Sequence, residues 1–185
     1  MSNINFDNQQ KADDWIKDVT IRLAGRADLD ALEWEGEYTK FRNIYLEVFQ
    51  RSRKGLAQMW VADLQGFGLI GQTFVQFYPK KRFDPQGEKQ AYIHAFRIRE
   101  RYRGAGLGTM LMKKVEGVLI EKGIDEIALN VAKDNRDALR LYKNLGYQLV
   151  GETSGRWWYH DHMNKLQEVV EPSWRLLKKT SGIEG

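Results

Sequence analysis

The chain has 185 residues with 42% hydrophobic side chains, among them eight Phe, eight Tyr and six Trp, enough to build the core of one compact domain. It has no cysteine, which excludes a disulfide framework, a thiolate metal site and a cysteine nucleophile. The net charge of +4 is modest and dispersed, without the basic stripe or module that nucleic-acid binding requires, and no apolar run reaches membrane-spanning length, so a cytoplasmic protein is expected.

Residues 1–17 are polar and read as an N-terminal extension. A single domain is expected over 18–179, followed by a short tail, 180–185. Val19–Leu23 is a short strand ending near Gly25. Asp28 or Asp30 is placed to cap a helical stretch whose apolar positions run from Leu29 through Leu32, Trp34, Tyr38 and Phe41 to Phe49. Gly36 divides this stretch into two shorter helices. Gln58–Leu64 and Leu69–Tyr78 read as strands joined around Gln65-Gly66. A polar connection, Pro79–Gln90, leads to strand Ala91–Ile98.

Helical spacing recurs at Leu107, Leu111, Val115, Val118 and Leu119, with Gly123 as the stop. Ile127–Val131 is a short buried strand, Asn135–Leu145 a helix ending at Gly146, and Tyr147–Val150 another strand. Gly155–Val170 reads as an aromatic, charged hairpin or loop, and Trp174–Leu177 as the last strand. Strands with interspersed helices and no internal repeat indicate an α/β or α+β sheet domain.

The most informative segment is Arg103-Gly104-Ala105-Gly106-Leu107-Gly108, a glycine-rich turn between a strand and a helix. Glycines let backbone approach an anion, and the N–H groups at a helix start then point at it, the arrangement that holds a phosphate. The nucleoside-triphosphate loop is excluded, because the turn lacks its lysine and hydroxyl residue in register. A dinucleotide fold requires an acidic residue at the end of the following strand, whereas Asp125 and Glu126 stand at its start. The remaining alternative is a cofactor whose pyrophosphate meets the turn while an elongated arm runs beside Ala91–Ile98. Arg97, Arg99, Arg101 and Arg103 read as a positive rim around it.

At these residues the chain resembles the GNAT superfamily of N-acetyltransferases. Arg103, Gly106 and Gly108 match the family's pyrophosphate motif, Arg/Gln-x-x-Gly-x-Gly/Ala. Asn135, Ala138, Leu141, Tyr142, Gly146 and Tyr147 match its second cofactor-side segment. The resemblance covers about residues 91–151. It implies an acyl-CoA N-acyltransferase-like fold: a mixed, mostly antiparallel central sheet flanked by helices. It implies acetyl-CoA as acyl-donor cosubstrate, no metal, and direct transfer of the acetyl group to a primary amine, either a small-molecule amine or a protein amino group. The competing reading is a catalytically weak or inactive coenzyme A-binding regulatory module.

The resemblance assigns the turn residues Arg103, Gly104, Ala105, Gly106, Leu107 and Gly108 to the pyrophosphate, and backbone near Phe96 and Ile98 to the coenzyme arm. Asn130 and Val131 would line the opposite wall. Asn135 either contacts the cofactor or caps its helix, and both are compatible through different atoms. Tyr142 matches the tyrosine that protonates the departing thiolate; the alternative is a packing role. His94 is a candidate base because an imidazole titrates near neutrality, or else it bonds within the sheet. Glu33 and Glu37, four apart, share a face if the helix is continuous and are candidates to bind a cationic amine; exposed acidic helix residues are the plainer reading.

In the run Trp157-Trp158-Tyr159-His160-Asp161-His162, an extended backbone puts the two histidines on one face and Asp161 on the other, too few convergent ligands for a metal. A wall of the acceptor pocket or a contact between subunits is the better reading. With the sheet edges, this segment is a candidate surface for a homodimer.

Overall fold

The computed structural model of the chain describes residues 14–78 and 89–180. Its centre is a seven-stranded sheet in the order β1-β2-β3-β4-β5-β9-β6. The strands are β1 (Val19–Leu23), β2 (Ala57–Leu64), β3 (Gly68–Tyr78), β4 (Gln90–Ile98), β5 (Glu126–Ala132), β6 (Gln148–Thr153) and β9 (Ser173–Lys179). Every neighbouring pair is antiparallel except β4 and β5. A separate antiparallel hairpin joins β7 (Arg156–His160) to β8 (Leu166–Val170). The mixed, mostly antiparallel sheet flanked by helices is the expected architecture.

Among the described residues three α-helices cover the sheet: α1 (Arg42–Arg53), α2 (Leu107–Glu121) and α3 (Arg136–Asn144). α2 and α3 lie over one face, where Leu107, Leu111, Val115, Leu119 and Tyr142 pack on Ile70, Val75, Ile93 and Leu129. α1 and the segment before it cover the other face, where Leu32, Tyr45 and Val48 pack on Met59, Val61 and Phe74. Strand β2 is buried on nearly every residue, as a strand sandwiched between two helical layers must be.

Both cofactor-side helices end in the same device. After α2, Gly123 takes φ +67°, and Ile124 N–H and Gly123 N–H donate to the carbonyls of Leu119 and Ile120. After α3, Gly146 takes φ +90°, and Tyr147 N–H and Gly146 N–H donate to the carbonyls of Tyr142 and Lys143. These are Schellman caps, in which a left-handed glycine reverses the chain and folds the next apolar residue back onto the helix.

Several local expectations differ from the structure. Residues 14–17, read as part of a polar extension, belong to a 3₁₀ turn, Asp14–Asp18, and Trp15 and Ile16 pack on the core; Trp15 meets Tyr102 edge to face at 4.9 Å. Residues 1–13, 181–185 and most of the Pro79–Gln90 connection lie outside the described residues. No α-helix forms between Asp28 and Phe41. Three single 3₁₀ turns stand there instead, Arg26–Asp28, Ala31–Glu33 and Thr39–Phe41, interrupted by left-handed Trp34, Glu35 and Gly36. Long-range contacts hold that unusual run: Glu35 takes both ends of the Arg99 guanidinium, at 2.7 and 2.8 Å, and Arg99 lies over the Trp34 ring.

Candidate functional site

The parallel ladder between β4 and β5 is short. It runs from Gln90↔Glu126 to Ile93↔Leu129 and then stops. Beyond it β4 stays with β3, while Asn130, Val131 and Ala132 of β5 stay with β9. The divergence coincides with a bulge in β4 at Ala95, whose φ is +52°, and with a register shift against β3 between Gln72 and Phe74. A bulge re-aims a strand and ends its pairing, and here it opens the sheet.

The opened edge carries free backbone polarity. Arg99 N–H donates to the Ile70 carbonyl on the β3 side. Strand alternation therefore turns the N–H groups of Ile98 and Phe96 toward the side β5 has left. The Ile98 carbonyl on that side is taken by Arg103 Nε at 2.9 Å. The sequence singled out Phe96 and Ile98 for this position, and the geometry brings their backbone to it.

The resulting cleft has a volume of about 710 Å³ and passes between the two strands from one face of the sheet to the other. On the α2/α3 face it is walled by Asn135, Ala138 and Tyr142. On the α1 face it is walled by Phe41, Ile44, Tyr45, Arg97 and Trp157. A slot open toward two faces lets two reactants meet from opposite sides.

The glycine turn lies beside the cleft, with Gly108 against Phe96, which lines it. Gly104 (φ +83°) and Gly106 (φ +88°) adopt backbone that other residues reach only with strain, and no side-chain cap closes the start of α2. The N–H groups of its first turn are thus available to an anion, favoured further by the helix dipole. Gly108 is close-packed: a Cβ there would stand 3.2 Å from Phe96 Cζ and 3.4 Å from Leu141 Cδ2, so the Phe96 ring would have to shift to admit it. Ala105 and Leu107 belong to the same turn, and Leu107 faces the core. The expected arginine rim does not form. Arg97 and Arg99 project toward the α1 side, and Arg101 lies over the rings of Phe67 and Tyr102, leaving only Arg103 at the turn.

Tyr142 is 5% exposed and meets Phe96 and Tyr147 edge to face, at 6.0 and 5.9 Å. Burial pushes its phenol above the ordinary value, with a smaller contribution from Tyr92, so it stays protonated at neutral pH. Asn135 Oδ1 accepts from Ala138 N–H at 3.1 Å and caps α3, while the residue also lines the cleft. Both readings of Asn135 are thereby geometrically compatible.

His94 lines the cleft between Tyr92, stacked at 5.8 Å, and Phe74, edge-on at 5.8 Å. Burial, followed by the charges of Arg97 and Arg51, lowers its pKa from 6.5 to about 4. It is neutral throughout the physiological range, so the titration near neutrality expected of it does not occur.

Glu33 and Glu37 do not share a helix face, because the left-handed residues between them reverse the chain. Glu33 is buried and engaged: Arg42 donates to both its oxygens at 2.5 and 2.8 Å, and Thr39 Oγ1 donates at 2.7 Å. Arg42 accordingly holds its carboxyl below the usual range. Glu37 is exposed beside the Tyr38 hydroxyl, and neither residue lines the cleft.

The histidine-flanked Asp161 organises its own turn, accepting from the N–H groups of Met163 and Lys165 and from Gln167 Nε2. Asn43 of α1 donates to the Asp161 carbonyl and so ties the hairpin to the sheet. That anchorage brings Trp157 and Tyr159 against Phe41, with ring centres 6.4 and 5.1 Å apart. Among the described residues no three His, Asp or Glu side chains converge as a metal site, and no helix is long and apolar enough to cross a membrane.

Sequence reasoning missed Tyr45 and the placement of Arg97. The signal was available: with period-2 alternation, Arg97 and Arg99 occupy one face of an edge-bulged strand rather than the turn.

Comparison with known proteins leads to the same architecture. The profile of the Acetyltransferase (GNAT) family matches residues 26–147. The chain is 37% identical to thialysine N-epsilon-acetyltransferase of Mus musculus over 67 residues, 36% of this chain and 39% of that protein. It is 31% identical to spermine/spermidine N(1)-acetyltransferase of Bacillus subtilis over 141 residues, 74% of this chain and 89% of that one. The match thus spans well under half of the thialysine enzyme but most of the polyamine enzyme. Among solved structures, Arabidopsis thaliana NAA60 in complex with acetyl-CoA superposes with a TM-score of 0.65 at 20% identity, covering 89% of this chain and 99% of that one. The ribosomal-protein-S5-alanine acetyltransferase of Vibrio fischeri superposes with a TM-score of 0.67 at 12% identity, covering 91% and 96%. With the profile matched over most of its length, the chain belongs to the GNAT family of acetyltransferases.

Proposed function

We propose that this chain transfers the acetyl group of acetyl-CoA directly to a primary amine. The observation that carries the reading is the slot where β4 and β5 part, with Tyr142 in its wall and the glycine turn beside it, Gly108 against Phe96. In this reading the N–H groups from Gly106 onward hold the pyrophosphate, and the Phe96 and Ile98 N–H groups hold the pantetheine arm as an added strand would. Asn135 contributes its amide NH₂ while its oxygen caps α3. The NAA60 structure in complex with acetyl-CoA supports the choice of donor. Relatives named for acetylating thialysine, spermine/spermidine and protein α-amines support an amine acceptor.

The amine nitrogen attacks the acetyl carbonyl from the α1 side, forming the C–N bond. The C–S bond then breaks, the thiolate takes its proton from the Tyr142 hydroxyl, and the phenolate regains a proton from cleft water, which receives the one the amine loses. A buried, fully protonated phenol suits that task, since it donates only when charge develops on sulfur. His94, neutral and weakly basic, is a hydrogen-bond acceptor that orients the free amine; the amine's lost proton leaves to water in the cleft. Activity then rises with pH as the acceptor amine deprotonates. No acyl-enzyme is needed.

The test is calorimetric titration with acetyl-CoA, coenzyme A and ATP, with Gly106→Trp as blocked-turn control, followed by assay of thiol release over a panel of amines. Selective binding of the two coenzyme forms, lost in the folded control, together with amine-dependent release is expected. Binding without release for any amine would instead favour a coenzyme A-binding module.

A further inference from the structure

The α1-side mouth of the cleft has a distinctive charge pattern. Arg97 sits there on a shelf of two stacked rings: its guanidinium carbon is 4.3 Å from the centre of Tyr38 and 5.0 Å from that of Phe41. Its Nη1 donates to the Tyr45 hydroxyl at 3.2 Å. It has no carboxylate partner among the described residues, whereas Arg22, Arg42, Arg99, Arg140 and Arg156 all do. Arg51 of α1, on the same side and within electrostatic reach of His94, likewise has no carboxylate partner, and its Nε is buried without a hydrogen bond. Of the carboxylates on this side, Glu33 is held by Arg42, Glu35 by Arg99, and Glu37 stands at the Tyr38 hydroxyl outside the cleft lining. Glu171 lines the cleft only where the hairpin rejoins the sheet, beside Gly155.

A guanidinium resting over aromatic rings, lining a cleft and lacking a carboxylate partner among the described residues, is preorganised for a planar or tetrahedral anion. Fixing it in advance removes most of the ordering cost that a free arginine would bring to binding. Resting on the acetyl-transfer reading, we infer that the acceptor is a small amine that also bears an anionic group, a carboxylate or a phosphate, which Arg97 binds on the Tyr38–Phe41 shelf. The size follows from the cleft, whose 710 Å³ must hold the donor arm as well. A diamine lacking the anionic group would place a second cation beside Arg97, where like charges repel.

Lysine and 1,5-diaminopentane differ only by a carboxylate, and they are the decisive pair. 2-Aminoethyl phosphate against butylamine forms the phosphate arm and tells which anion is preferred. Each is titrated calorimetrically into the full chain with saturating coenzyme A, so that binding is read without turnover. At least one anionic amine is expected to bind tenfold or more tighter than its partner. Arg97→Met, which keeps the apolar stem, is expected to weaken that ligand roughly 10- to 100-fold and to leave the diamine no weaker, since a repelling charge has been removed. Arg97→Lys should recover part of the loss. Equal or tighter binding of the diamine, no binding of either anionic amine, or an undiminished preference in Arg97→Met would overturn the inference. Anion-selective binding without acetyl transfer would leave the inference standing and count against the acetyl-transfer reading alone.

Discussion

At the scale of single residues, the cleft separates two aromatic or heteroaromatic groups by the direction burial pushes each. Tyr142 is pushed up and stays a donor; His94 is pushed down and stays neutral. The Tyr142 hydroxyl makes no hydrogen bond to any described residue, so Tyr142→Phe should leave the melting temperature nearly unchanged. In the proposed chemistry the same change should lower kcat by at least about 100-fold with little effect on acetyl-CoA binding, read by steady-state thiol release. His94 makes a stability prediction instead. Its folded pKa of about 4 lies below the unfolded 6.5, so its contribution is fully present above pH 6.5 and is lost as pH falls toward 4. The ring lines a cleft, and solvent there reduces the effect, leaving a loss on the order of 2 kcal/mol. Denaturant melts at pH 7 and pH 4.5 should show that loss in the wild type and not in His94→Phe.

At the scale of elements, short-range motifs carry their own geometry, and long-range ones do not. Gly106 and Gly108 could be read from the chain because a strand, a glycine turn and a helix start are contiguous there. Gly146 could be read as a helix stop, and the structure adds what the stop does: its cap folds Tyr147 back onto Tyr142. Gly146→Ala places a Cβ at φ +90° and should destabilise the fold by about 1–2 kcal/mol in chemical melts. It should also lower kcat more than it weakens coenzyme A binding, because the tyrosine moves while the turn does not. The stretch from Asp28 to Phe41 was illegible for the opposite reason. Its apolar spacing suits a helix, but Glu35 pairs with Arg99, 64 residues away, and that partner stabilises a left-handed run no local pattern announces. The same holds for β9, whose place between β5 and β6 depends on pairings across tens of residues.

At the scale of the whole molecule, the site is a fault line in the sheet. Two helical layers bury both faces, yet the ladder joining β3–β4 to β5–β9 is only four pairs long. Below it, the unpaired N–H groups of Phe96 and Ile98 face the slot, and a bound coenzyme arm would supply the missing partner. Ligand binding should therefore stitch the two halves of the sheet together. At a hundredfold excess over Kd, linkage gives about 2.7 kcal/mol of added stability. For a chain of this length that corresponds to a melting-temperature rise of roughly 5–10 °C. Coenzyme A and acetyl-CoA should both produce it, whereas ATP, which lacks the pantetheine arm, should produce little, and Gly106→Trp should abolish it. Hydrogen exchange distinguishes stitching from simple mass action. Protection is expected to rise most at Phe96, Ile98 and the first turn of α2, and least in β2, which is already laddered on both sides. A uniform rise across the chain would show that the coenzyme stabilises the fold without bridging the gap between β4 and β5.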